Sequence, residues 1–155
     1  DLDTLNLPSS RHHTAKREIR PSSVLIVDDE PVNRFILKTF CEKLNLSAFY
    51  AFDGVEGLEI IKKELNQLSE EDRKQRPPFD LIILDYQMPQ MTGPELALKL
   101  NELHKKGDII LPPLIGYTAF ISKTELDYFL ECGAIDILEK PTTFEKFKAM
   151  VQEIL

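Results

Sequence analysis

The sequence contains few of the residues on which several common kinds of site depend. It has no tryptophan, three histidines and only two cysteines, Cys41 and Cys132, which lack the CxxC spacing of metal and redox motifs. Two isolated thiols are typical of a reducing compartment, where disulfides are rare. Two of the histidines, His12 and His13, lie in a polar leader. The sequence therefore indicates neither a disulfide framework nor a histidine or cysteine metal centre.

Long apolar runs and an excess of positive charge are also lacking. No run approaches the roughly 20 apolar residues of a membrane-spanning helix, and the first residues show no signal-peptide pattern. We therefore expect a cytoplasmic segment without direct membrane contact, although the cytoplasmic part of a membrane-bound protein would look the same. The net charge of −7 disfavours nucleic acid as a partner, because phosphate backbones attract basic proteins.

The chain divides into an irregular leader and a regular alternating part. Residues 1–22 show no sustained periodicity, contain one Pro-Ser-Ser segment at 8–10 and end in a second at 21–23, so we interpret them as a linker or disordered tail. Over residues 23–155, short apolar runs alternate five times with helical patterns. This alternation predicts a single α/β domain, in which helices cover both faces of a parallel sheet. The predicted strands are 23–28, 47–52, 80–85, 112–117 and 134–138, and the predicted helices are 31–44, 54–67, 94–105, 122–132 and 143–155.

Local signals mark the ends of the predicted helices. Capping-box patterns begin at Asp53, Ser122 and Thr142, and Gly133 follows the fourth helix, where a glycine often ends a helix. The mixed-charge stretch 69–76 predicts a solvated extension between the second helix and the third strand.

Two predicted strands end in carboxylates. The apolar run 24–27 precedes Asp28 and Asp29, and the run 79–84 precedes Asp85. In a doubly wound sheet, ligands bind beyond the carboxyl ends of the strands. Carboxylates gathered there require a cation or raised pKa values, and hard oxygen ligands suit Mg²⁺. We therefore predict that these three acids form a Mg²⁺ site.

A hydroxyl and a cation follow two other predicted strands. Thr118 ends the fourth run, and Lys140 comes directly after the fifth. A carboxylate nucleophile, a divalent metal, a hydroxyl donor and a fixed cation suit the transfer of a phosphoryl group to a carboxylate. Each residue also has an ordinary structural explanation, since Asp28 or Asp29 could cap a helix and Asp85 could occupy a turn.

From residue 24 to residue 155 the sequence resembles response-regulator receiver domains. The resemblance implies a doubly wound (βα)5 flavodoxin-like domain whose five-stranded parallel sheet has the order 2-1-3-4-5. The matching motifs, in the family's order and at similar intervals, are Asp28-Asp29-Glu30-Pro31, Leu84-Asp85 with Met88-Pro89, Thr92-Gly93, Tyr117-Thr118-Ala119 and Lys140-Pro141.

The resemblance also implies a role for each matched acid. Asp85 would be the phosphoacceptor and would also contact the metal. Asp29 would bind Mg²⁺ directly and Asp28 chiefly through water. The backbone carbonyl of Gln87 would add a further ligand.

The remaining matched residues would act on the phosphoryl group. Lys140 would pair with its oxygens, and Thr118 would move toward it. The peptide bond between Lys140 and Pro141 would be cis. The sequence departs from the family pattern at Ile137, where receivers usually carry an aromatic residue.

The function implied is that of a phosphoacceptor module in a two-component phosphorelay. The domain would take a phosphoryl group from a phosphohistidine and then pass it on or hydrolyse it slowly, as a self-phosphorylating acceptor with autophosphatase activity. The segment 30–34 resembles receivers attached to hybrid histidine kinases, which implies the C-terminal receiver of such a kinase. Three alternatives remain: a free-standing single-domain response regulator, a Mg²⁺-dependent phosphohydrolase with an aspartyl-phosphate intermediate and 68–78 as its cap, and a receiver-like module that never receives phosphate.

The helical periodicity of 31–44 separates one aromatic residue from the rest. Phe35 falls outside the apolar stripe that is expected to be buried. We predict that Phe35 docks a helical partner, either a histidine-phosphotransfer protein or the helical domain of a histidine kinase; shielding of Phe35 by a loop or by the leader is the alternative. The predicted buried stripe consists of Val32, Ile36, Leu37, Phe40 and Leu44.

Overall fold

The computed structural model describes residues 22–119 and 121–155. The predicted tail, residues 1–22, therefore lies outside the described residues except for Ser22. Among the helices of the described residues, none combines the length and the apolar character that crossing a membrane requires. In chain order the elements are β1 (Ser23–Val27), α1 (Pro31–Lys43), β2 (Ser47–Ala51), α2 (Gly54–Gln67), α3 (Glu70–Arg73), β3 (Leu81–Leu84), α4 (Gly93–Lys105), β4 (Leu114–Thr118), α5 (Lys123–Cys132), β5 (Asp136–Glu139) and α6 (Phe144–Ile154).

The five strands form one parallel sheet in the order β2-β1-β3-β4-β5. The predicted fold class and strand order are therefore confirmed. All residues of β3 and β4 are buried, as expected for strands that are covered on both faces. Because the strands are parallel, all of their carboxyl ends lie along the same edge of the sheet. The strand order reverses at β1 and β3, which is where a doubly wound sheet opens a crevice.

Two hydrophobic clusters hold the helices against the two faces of the sheet. Along β1, Leu25 and Val27 belong to one cluster, and Val24 and Ile26 belong to the other, because successive side chains of a strand point to opposite faces. Helices α2, α4 and α5 cover the first face, and α1 and α6 cover the second. The helical residues of these clusters include Ile61, Leu65, Leu96, Leu100 and Phe129 on the first face and Leu37, Cys41, Phe147 and Val151 on the second.

The helix ends follow the predicted signals with one correction. The side chain of Ser122 caps α5 in a full capping box, and Gly133 ends that helix with a positive φ of 132°. The cap of α6 is Thr143 rather than Thr142, because the hydroxyl of Thr143 accepts a hydrogen bond from the amide of Lys146. Two consecutive threonines satisfy the sequence pattern equally well, and only the backbone decides which of them precedes the first helical residue.

The charged extension contains a helix that the sequence did not predict, α3. The hydroxyl of Ser69 caps it, and Nε of Arg73 donates a hydrogen bond of 2.8 Å to the carbonyl of Leu65 near the end of α2. The chain then reaches Asp80, which comes directly before β3 and whose carboxylate accepts a hydrogen bond of 2.8 Å from the amide of Ser23. The extension therefore lies at the amino edge of the sheet, opposite the strand ends that carry the acids.

The buried stripe of α1 differs from the prediction in two ways. Of the predicted residues, Leu37 is buried and 65% of Val32 is exposed, while the remaining three are half-buried. Cys41, which was not predicted to belong to the stripe, is buried. Helix α1 begins beyond the carboxyl end of β1, so its first turn projects past the sheet and has little to pack against. Phe35 is 67% exposed, as its position outside the stripe predicts.

Gly116 lies in β4, where the packing leaves no room for a side chain. A Cβ atom there would lie 2.6 Å from both Cδ1 of Ile137 and Cε2 of Phe129. We expect Gly116→Ala to lower the free energy of unfolding by about 1–3 kcal/mol through overpacking, measured by urea denaturation followed by circular dichroism. Adding Ile137→Val removes one of the clashing atoms and should restore part of the loss. Wild-type stability of Gly116→Ala would contradict this account of the packing.

Candidate functional site

Three carboxylates meet at the carboxyl edge of the sheet. Asp28 and Asp29 follow β1, and Asp85 follows β3, the neighbouring strand; the amide of Asp85 donates a hydrogen bond of 2.9 Å to the carbonyl of Val27. One oxygen from each of the three carboxylates lies within 4.8 Å of the others. Asp28 and Asp85 are buried, whereas Asp29 is exposed. The cluster is therefore open to solvent on the side of Asp29.

Lys140 reaches the same cluster from the end of β5, the outermost strand of the sheet. It follows β5, which is separated from β3 by β4, and only 14% of its side chain is exposed. Its Nζ lies 2.9 Å from Oδ2 of Asp28 and 3.2 Å from Oδ2 of Asp85. Its backbone amide donates a hydrogen bond of 2.8 Å to the carbonyl of Thr118, and its peptide bond with Pro141 is cis. A single ammonium thus lies between the two buried acids.

One ammonium does not balance the charge of three carboxylates. Burial, followed by the charge of Asp28, raises the pKa of Asp85 to about 6, although Lys140 opposes this effect. Burial alone would lower the pKa of Lys140, but its bonds with Asp28 and Asp85 outweigh burial and raise that pKa. With all three acids ionised the cluster carries two net negative charges, which a divalent cation would neutralise.

The ligand atoms also suit such a cation. Oδ2 of Asp28 is buried and forms no hydrogen bond of good geometry with the described residues, although Nζ of Lys140 lies 2.9 Å away. Because Lys140 also lies 3.2 Å from Asp85, its one charge is shared between two acids, and a further cation beside this buried oxygen would add compensating charge. Mg²⁺ prefers oxygen ligands and usually keeps several of its water molecules. The cluster offers carboxylate oxygens, and the exposed side at Asp29 leaves access for water. The residues present therefore fit Mg²⁺.

The backbone around Asp85 is fixed by the start of α4. The amide of Tyr86 donates a hydrogen bond of 2.8 Å to Oδ1 of Asp85, and the amide of Gly93 donates one of 2.9 Å to the carbonyl of Tyr86. A Cβ atom at position 93 would overlap the carbonyl oxygen of Asp85. Glycine at 93 therefore allows α4 to begin directly against the acid. Thr92 caps this helix in a capping box with Glu95 that the sequence analysis did not identify.

The other predicted site residues lie around this cluster. Thr118 is buried at the end of β4, and it borders a cavity that Ile121, Leu126 and Ile137 also line. Gln87 is exposed in the loop that follows Asp85. Because Gln87 comes two residues after Asp85, its loop lies at the same carboxyl edge of the sheet as the acids.

Arg34 contacts the site and Phe52 contacts Arg34, and the sequence predicted a role for neither of them. Nη1 of Arg34 donates a hydrogen bond of 2.7 Å to the backbone carbonyl of Asp28. The guanidinium of Arg34 lies 4.6 Å from the centre of the Phe52 ring, which is 58% exposed. The sequence partly indicated that Phe52 has a structural role, because it is an apolar residue directly before Asp53, the cap of α2. Phe35 lies nearby, in a shallow depression lined also by Arg34, Lys38 and Tyr50.

Comparison with known proteins agrees with this arrangement. A family model described as the response regulator receiver domain matches residues 24–152. The sequence is 31% identical over 131 residues to the aerobic respiration control sensor protein ArcB of Escherichia coli (strain K12). That match covers 84% of this chain but only 15% of ArcB. The chain therefore spans a small part of the length of this curated relative.

Two solved structures share the fold. The signal receiver domain of a signal transduction histidine kinase from Syntrophus aciditrophicus has a TM-score of 0.67 and 27% identity, with 86% of this chain and 89% of that chain covered. The receiver domain of a sensor histidine kinase from Pseudomonas aeruginosa, which has a magnesium ion coordinated in its active site cleft, has a TM-score of 0.66 and 20% identity, with 86% and 97% covered. Because the family model matches far more than half of the chain, this chain belongs to the response regulator receiver domain family.

Proposed function

We propose that the chain is the phosphoacceptor module of a two-component phosphorelay, which takes a phosphoryl group from a phosphohistidine onto Asp85 and then passes it on or hydrolyses it slowly. The observation that carries this proposal is the meeting of Asp28, Asp29, Asp85 and Lys140, from three separate strand ends, at one edge of the sheet. This set combines a nucleophile, an acidic cation site and a fixed positive charge, which are the parts that phosphoryl transfer needs.

In the transfer step, a carboxylate oxygen of Asp85 attacks the phosphorus of the phosphohistidine. A P–O bond forms, the N–P bond breaks, and the bond electrons leave with the imidazole. Oδ1 of Asp85 accepts a hydrogen bond from the amide of Tyr86, and Oδ2 lies 3.2 Å from Nζ of Lys140. We assign Oδ2 as the nucleophile, because it faces the cation that would pair with the incoming phosphoryl oxygens. As Asp85 becomes an acyl phosphate it loses its own charge, and the ammonium of Lys140 is then free to pair with the phosphoryl oxygens.

The cation site is assigned residue by residue. We assign Asp29 as a direct ligand of Mg²⁺, Asp28 as a ligand chiefly through water, and Asp85 and the backbone carbonyl of Gln87 as the remaining ligands. When bound, Mg²⁺ supplies neutralising charge for the carboxylates and the incoming phosphoryl group. Thr118 is assigned as the hydroxyl donor to the phosphoryl group. The hydrogen bond between the Thr118 carbonyl and the Lys140 amide supports joint positioning of the two residues.

A Mg²⁺-dependent phosphohydrolase is the alternative from another class. Such an enzyme would need a cap over the acids, and the extension 68–78 was the candidate for it. That extension packs at the amino edge of the sheet, where Arg76 and Pro77 line a groove with Ser23 and Asp80. Its position at the edge opposite the acids favours the relay over the hydrolase.

The site is bordered by a surface that suits a protein partner. Val32, Phe35 and Phe52 are each more than half exposed, and Arg34 and Lys38 lie among them. Exposed apolar side chains clustered beside a reactive group are typical of a docking surface. We assign this surface to a histidine-phosphotransfer protein or to the helical domain of a histidine kinase.

The whole protein is proposed to be a hybrid histidine kinase, with this domain in the cytoplasm. The similarity to the sensor protein ArcB and to receiver domains of histidine kinases supports this assignment. A free-standing response regulator is the alternative. Peptide sequencing of the native protein would distinguish the two, because a kinase would contain a catalytic domain in the same polypeptide.

The function is tested by incubating the protein with Mg²⁺ and acetyl phosphate and measuring intact mass over time. We expect a single phosphoryl adduct that requires Mg²⁺ and is lost in Asp85→Asn, since the variant has no nucleophilic carboxylate. Release of inorganic phosphate over many turnovers without an adduct would instead identify a hydrolase. An unmodified protein would identify a module that does not accept phosphate and would refute the proposal.

The charge of the cluster predicts how stability depends on pH. The pKa of Asp85 is about 6 in the folded protein and 3.8 without the fold, so between these values the folded state binds a proton that the unfolded state has lost. Stability of the metal-free protein should therefore fall as pH rises from about 4 to about 6, and the deficit should persist above that. Asp85→Asn removes the penalty and should raise the free energy of unfolding at about pH 7.5 by on the order of 1–2 kcal/mol.

Urea denaturation in a chelating buffer at several pH values measures this difference. The advantage of Asp85→Asn should shrink as the pH approaches 4, because the wild-type carboxyl is then protonated. Added Mg²⁺ should stabilise the wild-type protein more than it stabilises Asp85→Asn. A variant that is no more stable than wild type at neutral pH would contradict the assigned charge balance.

The docking surface predicts a specific loss of phosphotransfer. Phe35→Ala should reduce the second-order rate constant for transfer from a histidine-phosphotransfer partner by roughly 5- to 30-fold, or about 1–2 kcal/mol. Phosphorylation by acetyl phosphate should not change, because a small donor needs no docking surface. Phe49→Ala removes another exposed aromatic, one that packs against Phe79, and serves as the matched control. Equal transfer rates for Phe35→Ala and wild type would remove Phe35 from the surface.

A further inference from the structure

We propose that Arg34 is a positioning residue for the cation site: it holds the peptide unit between Asp28 and Asp29 so that the carboxylate of Asp29 faces Asp28 and Asp85. This inference rests on the proposed Mg²⁺ site. The side chain of Arg34 does not contact the carboxylates of the assigned metal ligands. It acts through the backbone of Asp28.

Asp29 is the acid that its surroundings hold least. Asp28 is held by the amide of Glu30, which donates a hydrogen bond of 2.9 Å to its Oδ1, and by the ammonium of Lys140. Asp85 is held by the amide of Tyr86 and by the same ammonium. Within residues 22–119 and 121–155, no hydrogen bond or ion pair involves the carboxylate of Asp29, which is exposed. Its direction therefore depends on the backbone that carries it.

Arg34 fixes that backbone. The carbonyl of Asp28, to which Nη1 of Arg34 donates at 2.7 Å, belongs to the peptide unit that joins Asp28 to Asp29. A peptide unit is planar, so a hydrogen bond to its oxygen limits rotation on both sides of the plane. The bond is short and its donor is charged, which makes it stronger than a bond between neutral groups. Arg34 thus restricts the torsion angles that set the direction of Asp29.

The guanidinium of Arg34 is itself held in place by Phe52, whose ring centre is 4.6 Å away. Phe52 is anchored at the start of α2, because its amide donates a hydrogen bond of 2.6 Å to Oε1 of Glu56, and the amide of Glu56 donates one to Asp53. A continuous set of contacts therefore runs from α2 through Phe52 and Arg34 to the peptide unit before Asp29. A lysine could retain the charge but could not reproduce the planar stacking of the guanidinium.

This restraint matters because the three acids repel each other. In the absence of a cation, an unrestrained Asp29 would lower its energy by turning into solvent, away from Asp28 and Asp85. Binding of Mg²⁺ would then have to bring the loop back against that repulsion. A loop held in advance avoids this cost, which is why removing the groups that orient a metal ligand typically weakens metal affinity by about 10- to 100-fold.

The test measures the dissociation constant for Mg²⁺ by titration calorimetry on the full chain. We expect Arg34→Met and Arg34→Lys to weaken Mg²⁺ binding by about tenfold or more. Phe52→Leu retains every charge and should weaken binding by roughly 2- to 5-fold, the loss that corresponds to an exposed cation–π contact. Phe49→Leu is the matched control, since it replaces an exposed phenylalanine of β2, three residues before Phe52, and its dissociation constant should equal that of wild type.

A second measurement separates positioning from a general loss of structure. With acetyl phosphate as the donor, the Mg²⁺ concentration for half-maximal phosphorylation should rise by the same factor as the dissociation constant. The rate at saturating Mg²⁺ should remain within about twofold of wild type, because bound Mg²⁺ restores the position of Asp29. Thermal melting in a chelating buffer checks that each variant is folded. If Arg34→Met does not fold, the Phe52→Leu variant provides the test.

The outcomes distinguish this inference from the proposed function. Wild-type affinity in Arg34→Lys would show that the planar guanidinium and its stacking on Phe52 are not needed, and would overturn the positioning role assigned to them. Wild-type affinity in Arg34→Met would overturn it as well. Asp29→Asn serves as the reference for the site itself: if this variant binds Mg²⁺ as tightly as wild type, the assigned cation site fails, whatever Arg34 does.

Discussion

The contact of the Lys140 ammonium with the buried carboxylates of Asp28 and Asp85 is the interaction on which the rest of the site depends. Burying either acid without a partner would be strongly unfavourable, because carboxylates lose their hydration in the interior. One ammonium is enough to keep both acids buried but not enough to neutralise the cluster. Burial, together with the charge of Asp28, raises the pKa of Asp85, and the remaining negative charge is what suits the edge of the sheet to the proposed divalent cation.

The sheet makes this contact possible by bringing distant parts of the chain to one edge. Asp28 and Asp85 follow adjacent parallel strands, so the ladder between β1 and β3 places them side by side. Lys140 belongs to β5, and its long side chain crosses the end of β4 to reach them. The absence of a side chain at Gly93 lets α4 begin against the backbone of Asp85. The chemistry of the edge is therefore a direct consequence of the strand order.

The two edges of the sheet are built differently. The carboxyl edge carries the acids, the proposed docking surface and the contacts of Arg34 with Asp28 and Phe52. The amino edge carries the charged extension, whose own helix α3 and whose Arg73 complete the end of α2. An insertion at the amino edge leaves the reactive edge open to a partner, which is what transfer between two proteins requires.

The sequence by itself determined the order of the elements and which acids follow which strands, because apolar periodicity and capping residues report on the local backbone. It also contained the motifs of the receiver family, and the fold class that they imply is the one observed. It did not reveal α3, the exposure of Val32 or the choice of Thr143 over Thr142 as a cap. Only the tertiary structure decided that Lys140 lies between two acids, that Asp29 has no partner among the described residues while Asp28 is buried, and that Arg34 stacks on Phe52. These properties depend on neighbours that are remote in the chain, and a local pattern carries no information about which remote side chains will meet.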